Sequence, residues 1–230
     1  MNVLNTTLQN ALEQIQGVHP LLHCISNIVT ANDCANLALA IGASPIMAQE
    51  PQEMPQIAAL AKAVILNTGT PDEAKFQATA IAGKTANQLH IPVILDPVGI
   101  GASTWRLNHI HDLLSQVHPD ILRVNLGEAK ALLGQTGTEH GVDSLESFRS
   151  TETDFCAKEL ANALHTVVLL SGEEDLVTDG IRLKRISGGS PLTRSVTGAG
   201  CMLSVLCGAF ASIETTFLEA TPESATSQPD

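Results

Sequence analysis

Near the carboxyl end the chain reads RSVTGAGCMLSVLCGAF over residues 194–210, a glycine-rich turn feeding an apolar run of helical spacing. With Gly198 and Gly200 free to take positive φ, the N–H groups of Ala199, Gly200 and Cys201 would converge on one concavity, and the helix that begins there would add the positive end of its dipole. Such a cup suits an anion, a phosphate in particular. A plain strand-to-helix reversal would use the same glycines. The pattern is neither G-x-x-x-x-G-K-[ST], which needs a lysine, nor G-x-G-x-x-G, which Leu203 breaks. Cys201 stands either as a thiol at the positive end of a helix or as a small apolar residue packed at a helix start, the role that fits Cys207.

Two acids complete the candidate chemistry. Asp96 ends the apolar run IPVILD and is followed by Pro-Val-Gly, so its charge must be paired, hydrogen-bonded or metal-bound. Glu128 closes R-V-N-L-G-E on the expected first turn of a helix, where a glutamate also serves as a cap partner. Two carboxylates on neighbouring strand ends, with Arg123 between them and an anion cup opposite, would suit Mg²⁺ and a nucleotide polyphosphate. The constellation points to phosphoryl transfer. His109 and His111, at i, i+2 spacing without ligand partners nearby, read as surface residues.

The elements that must hold these groups are legible as apolar runs: LLHCIS (21–26), SPIMA (44–48), AVILN (63–67), IPVILD (91–96), ILRVN (121–125) and TVVLLS (166–171). Helical spacing fills the intervals in ANDCANLALAIG, DEAKFQATAIAGKTANQLH and SFRSTETDFCAKELANAL. Near-continuously apolar strands alternating with helices predict an α/β fold with a parallel sheet covered on both faces. Right-handed crossovers then bring every strand's carboxyl end to one edge, where open α/β sheets bind ligands. Asn27, Met47, Asn67-Thr68-Gly69, Asp96-Pro97-Val98-Gly99, Arg123, Asn125 and Ser171-Gly172 follow those strands.

The 230 residues carry a net charge of −12 with scattered Lys and Arg, which leaves no basic stripe for nucleic acid. Aromatics make up 3% and Tyr is absent, so the core must be aliphatic and stacking-based recognition is disfavoured. Five cysteines without C-x-x-C pairs fit reduced thiols and a cytoplasmic protein. No basic, apolar leader opens the chain, and the longest apolar stretch, around residues 202–213, is too short to span a bilayer. One domain is expected over residues 1–213. The Thr-, Ser-, Glu- and Pro-rich residues 214–230 read as a disordered tail.

The runs HCISNIVTANDCANLALAIGASPIMA, VILNTGT, PVILDPVGIGAS, RVNLGEAKALLG, VVLLSGEEDLVTDG and PLTRSVTGAGCMLS, collinear over about residues 15–212, resemble hydroxyethylthiazole kinases of thiamine salvage. The pair GASPIMA with VTGAGCMLS is more specific than either glycine loop. The resemblance implies a ribokinase-like three-layer α/β/α sandwich with a mostly parallel central sheet, a homotrimer with sites at subunit boundaries, ATP as co-substrate and Mg²⁺ as cofactor. It implies that Met47, Asn27, Gly69 and Gly198 bind the thiazole alcohol, and that Arg123, Ser171, Thr197, Ala199 and Gly200 bind ATP. By the same likeness Asp96 and Glu128 serve the Mg²⁺–phosphate region, and Cys201 is catalytic, at the place where most ribokinase-like relatives carry an Asp base.

The chain departs from the family in reading Ser171-Gly172 for Thr-Gly and Val124-Asn125 for Gly-Asn. The family also continues past the GAGC helix with further helices, whereas here the pattern gives way to the Thr/Ser/Glu/Pro segment. A shortened, non-catalytic thiazole-binding paralogue is therefore one rival reading. A hydroxymethylpyrimidine phosphate kinase or ADP-dependent hydrate dehydratase is the other, though those carry Asp where this chain has Cys201.

Overall fold

The computed structural model describes residues 3–135 and 146–213. All six expected strands form: β1 Leu21–Ile25, β2 Ser44–Ile46, β3 Ala63–Asn67, β4 Val93–Asp96, β5 Ile121–Asn125 and β6 Val167–Ser171. They lie parallel in the order β2-β1-β3-β4-β5-β6. Two further strands, β7 Asp175–Thr178 and β8 Leu183–Ile186, extend the β6 edge antiparallel, completing an eight-stranded sheet among the described residues. Neither was expected from the sequence. β8 reads LKRI and buries nothing fully, so it lacks the apolar run that betrays a central strand.

The helices are α1 Val3–Val18, α2 Ala31–Ala40, α3 Met54–Leu60, α4 Glu73–Gln88, α5 Thr104–Leu114, α6 Leu126–Leu132, α7 Glu146–Leu164 and α8 Ala199–Ala211. α1, rich in Asn, Gln and Thr, and the short α3 also escaped the sequence reading.

Period-two alternation along the strands divides the interior into two cores. Val64 and Leu66 of β3 point into one with Ala82 of α4, Ile110 of α5, Ala129 of α6 and Leu160 of α7. Ala63 and Ile65 point into the other with Ile15 of α1, Ala38 of α2 and Val205 of α8. The result is the three-layer α/β/α sandwich expected from the sequence. α8 lies close on β3 and β4: a Cβ at Gly208 would meet Ile65 Cδ1 at 2.6 Å.

Strand register decides what meets at the carboxyl edge. Asn67 pairs with Asp96 across β3 and β4, and Asn125 pairs with Ser171 across β5 and β6. No helix among the described residues is long and apolar enough to cross a membrane. The expected disordered tail lies outside the described residues.

Candidate active site

Asp96 is fully buried at the end of β4. Its Oδ2 accepts hydrogen bonds from Asn67 Nδ2 and from Ser204 Oγ, both at 2.9 Å, and Arg123 Nη1 lies 3.4 Å from Oδ1. Burial pushes the carboxyl up to about 6, with the Arg123 guanidinium and the Ser204 hydroxyl opposing the rise and the charge of Glu128 adding to it. Arg123 in turn donates from Nη2 to Ser171 Oγ at 2.7 Å, so one guanidinium joins the ends of β4, β5 and β6. Its Nε–H is buried without an acceptor among the described residues.

The end of α8 lies against this cluster. Gly198 has φ +81 and caps the helix, and a Cβ there would collide with the Thr30 side chain at the start of α2. The expectation for Gly200 needs correcting: it sits inside α8, outside the positive-φ positions. Its missing Cβ serves another purpose, because the Arg123 guanidinium occupies the space a side chain would take. The Ala199 N–H turns back toward Val196 O at 3.4 Å. Helix geometry then leaves the Gly200 and Cys201 N–H groups as the open donors of the cup. Thr197 is exposed in the turn before them. Cys201 itself is 9% exposed and belongs to the second apolar core, within electrostatic reach of Lys75 and of Cys34, whose thiol burial pushes up to about 11.

A second group forms where β1 and β3 end. Asn27 Oδ1 accepts from Val29 N at 3.0 Å and Thr70 Oγ1 at 3.4 Å, and Gly69 N donates to Asn67 Oδ1 at 2.9 Å. A Cβ on Gly69 would stand 2.6 Å from Asn27 Nδ2, so a larger residue there would displace the Asn27 side chain. Met47, just past β2, is partly buried against the same apolar core as Cys201. His23 Nε2 donates to the neighbouring Ala48 carbonyl at 3.0 Å.

Glu128 makes a full capping box. Its Oε2 accepts from Asn125 N at 3.0 Å while Asn125 Oδ1 accepts from Glu128 N at 2.8 Å. Oε1 accepts from Gly99 N at 2.9 Å. Both of its oxygens and both of Asp96's are thus engaged within the protein, and no cluster of three or more His, Cys, Asp or Glu among the described residues could hold a metal ion.

One residue of this region escaped the sequence reading. Lys75, in the first turn of α4, is buried, and its Nζ donates to the main-chain carbonyls of Ser26 at 2.7 Å and Gly69 at 2.6 Å. A signal existed: Lys75 falls on the buried stripe Lys75, Ala78, Thr79, Ala82, Ala86 at helical spacing, where a lysine must find acceptors.

The hydroxyethylthiazole kinase family model matches residues 12–228. Hydroxyethylthiazole kinase of Listeria monocytogenes serotype 4a is 41% identical over 216 residues, covering 94% of this chain and 80% of that one. The Methanosphaerula palustris enzyme of the same name is 44% identical over 204 residues, covering 89% and 76%. The structure of a hydroxyethylthiazole kinase protein from Pyrococcus horikoshii superposes with a TM-score of 0.83 at 36% identity, covering 94% of this chain and 80% of that one. A ribokinase-like superfamily protein from Enterococcus faecalis, 10% identical, shares the fold with a TM-score of 0.59 over 94% of this chain and 69% of its own.

Proposed function

Since the chain belongs to the hydroxyethylthiazole kinase family, a family of phosphotransferases, we propose that it moves the γ-phosphoryl group of ATP to the primary alcohol of 4-methyl-5-(2-hydroxyethyl)thiazole, supplying the thiazole phosphate for thiamine phosphate synthesis. The observation that carries this reading is the Arg123 guanidinium, fixed between Asp96 and Ser171 directly over Gly200 at the open end of α8. A planar cation beside free helix N–H groups is suited to phosphate oxygens.

In this reading Arg123, Ser171, Thr197, Ala199 and Gly200 bind ATP, and Asn27, Met47, Gly69 and Gly198 surround the thiazole alcohol. The alcohol oxygen bonds to the γ-phosphorus while the bond to the β–γ bridging oxygen breaks. ADP leaves with that electron pair, and the hydroxyl proton passes to Cys201, which enters the step as the thiolate and becomes the neutral thiol. Because the transition state is loose, positioning and charge neutralisation supply most of the rate. Mg²⁺, the cofactor, would neutralise phosphate charge. Asp96 and Glu128, already hydrogen-bonded within the protein, keep lone pairs that would serve the ion or its bound water. Asp96 and Glu128 would then hold the Mg²⁺–phosphate region, directly or through water, and supply the negative charge that attracts the ion.

A homotrimer is part of the proposal. Ile28 (77% exposed) and Val29 (61%) beside Asn27, with Leu192 (74%) ahead of Gly198, supply apolar surface next to the site that a second subunit would cover. A cytoplasmic location is supported by five free cysteines. An ADP-release assay tests the activity: turnover with the thiazole alcohol supports it, and turnover with hydroxymethylpyrimidine phosphate alone overturns it.

A further inference from the structure

We propose that Lys75 is a positioning residue for the acceptor side of the reaction, a buried clamp that sets the separation of the two loops carrying Asn27 and Gly69. The inference rests on the reading of those loops as the thiazole pocket.

The geometry is specific. Ser26 O, just past β1, and Gly69 O, in the loop after β3, follow neighbouring parallel strands whose last paired residues are Ile25 and Leu66. Lys75 Nζ donates to both, at 2.7 and 2.6 Å, and so ties the two loops together beyond the strand ladder, beside the Thr70 contacts with Asn27 and Ile28. Each carbonyl sits next to an element of the pocket. Ser26 immediately precedes Asn27, and Gly69 is the residue whose missing Cβ lets Asn27 approach.

The side chain is itself anchored. Asp72 caps α4 by accepting from Lys75 N at 2.8 Å, and Thr79 Oγ1 donates to Lys75 O at 2.7 Å, which together fix the start of the stem. An ammonium in a nearly dry site is costly to retain unless its donors are used. Burial lowers Lys75 to about 8, against the opposing pull of Asp72 and Cys201. A surface role would need no such placement, since a lysine at this helix position could extend into water.

The clamp makes a separable demand on kinetics. Lys75→Met preserves length and apolar bulk but removes both donors, and Lys75→Gln keeps an N–H₂ group without charge. If Lys75 sets the loops, Lys75→Met raises the KM for the thiazole alcohol about 10-fold or more while the KM for ATP stays within about 2-fold. Lys75→Gln then recovers part of the thiazole KM. Equal rises in both KM values, or an unchanged thiazole KM in a variant with a cooperative melt, overturn the proposal. If Lys75→Met does not fold, Lys75→Gln alone decides: a thiazole-selective KM rise supports the clamp and an unselective one ends it. Wild-type turnover of the thiazole alcohol is measured alongside. Its absence would count against the functional reading, whereas its presence with a normal thiazole KM in Lys75→Met counts against the clamp only.

Discussion

Gly200 and Arg123 share one volume: the guanidinium occupies the place that any side chain at residue 200 would fill, although one residue lies in the first turn of α8 and the other within β5. Glycine here is a matter of room rather than of backbone conformation. Gly200→Ala should push Arg123 off Ser171 and Asp96 without unwinding α8, because alanine favours the helix. The ATP KM or kcat/KM should worsen by about 10- to 100-fold, as for other small misplacements of a catalytic clamp, with thiazole affinity little changed. A Gly200→Ala enzyme with wild-type ATP kinetics would show that Arg123 can move freely.

Asp96 makes stability depend on pH. Its folded-state value, about 6, is raised above the ordinary 3.8, so between these the native state holds a proton that the unfolded chain has released. The carboxyl's contribution is fully present below about 4 and falls as pH rises through about 6, by on the order of 3 kcal/mol. Urea titrations of wild type and Asp96→Asn at about pH 4 and about pH 7 should show the wild-type advantage shrinking at the higher pH. A constant difference would mean that the pairing with Arg123 keeps Asp96 ionised throughout.

For Cys201 the competing roles give opposite orders. If its sulfur takes the hydroxyl proton, Cys201→Ala should lower kcat about 10- to 1000-fold with both KM values nearly unchanged, and Cys201→Asp should keep activity, helped by the helix end and by Lys75. If it is only part of the apolar core it belongs to, alanine is tolerated and aspartate unfolds the protein. Thermal melts with kcat for both variants separate the two.

The strand ends were legible because a parallel strand buried on both faces must be apolar throughout and must stop at a polar residue. Asn67, Asp96 and Ser171 each mark such a stop. Arg123 was found the same way, as the charge in ILRVN. The Lys75 contacts were not legible, since its acceptors are main-chain carbonyls, one of them 49 residues away, and carbonyls leave no trace in residue identity. The use of Gly200 was hidden for a similar reason: the composition of a loop does not say which neighbour needs the space. The β7–β8 hairpin stayed hidden because its outer strand, LKRI, is half-exposed and shows no apolar run.

The sheet acts as an insulator between its two cores. Ala82 and Ala38 lie in different apolar clusters, on opposite sides of it, so enlarging both should cost the sum of the separate costs. At the rim the two layers come within electrostatic reach, because Lys75 rises from α4 in one layer and Cys201 from α8 in the other, and Cys201 contributes to the electrostatics of Lys75. Changes to these two should be non-additive in a double-mutant cycle. The layers of the sandwich are thus joined at the carboxyl edge by polar contacts as well as by the sheet between them, and changes on either side of that edge are expected to couple.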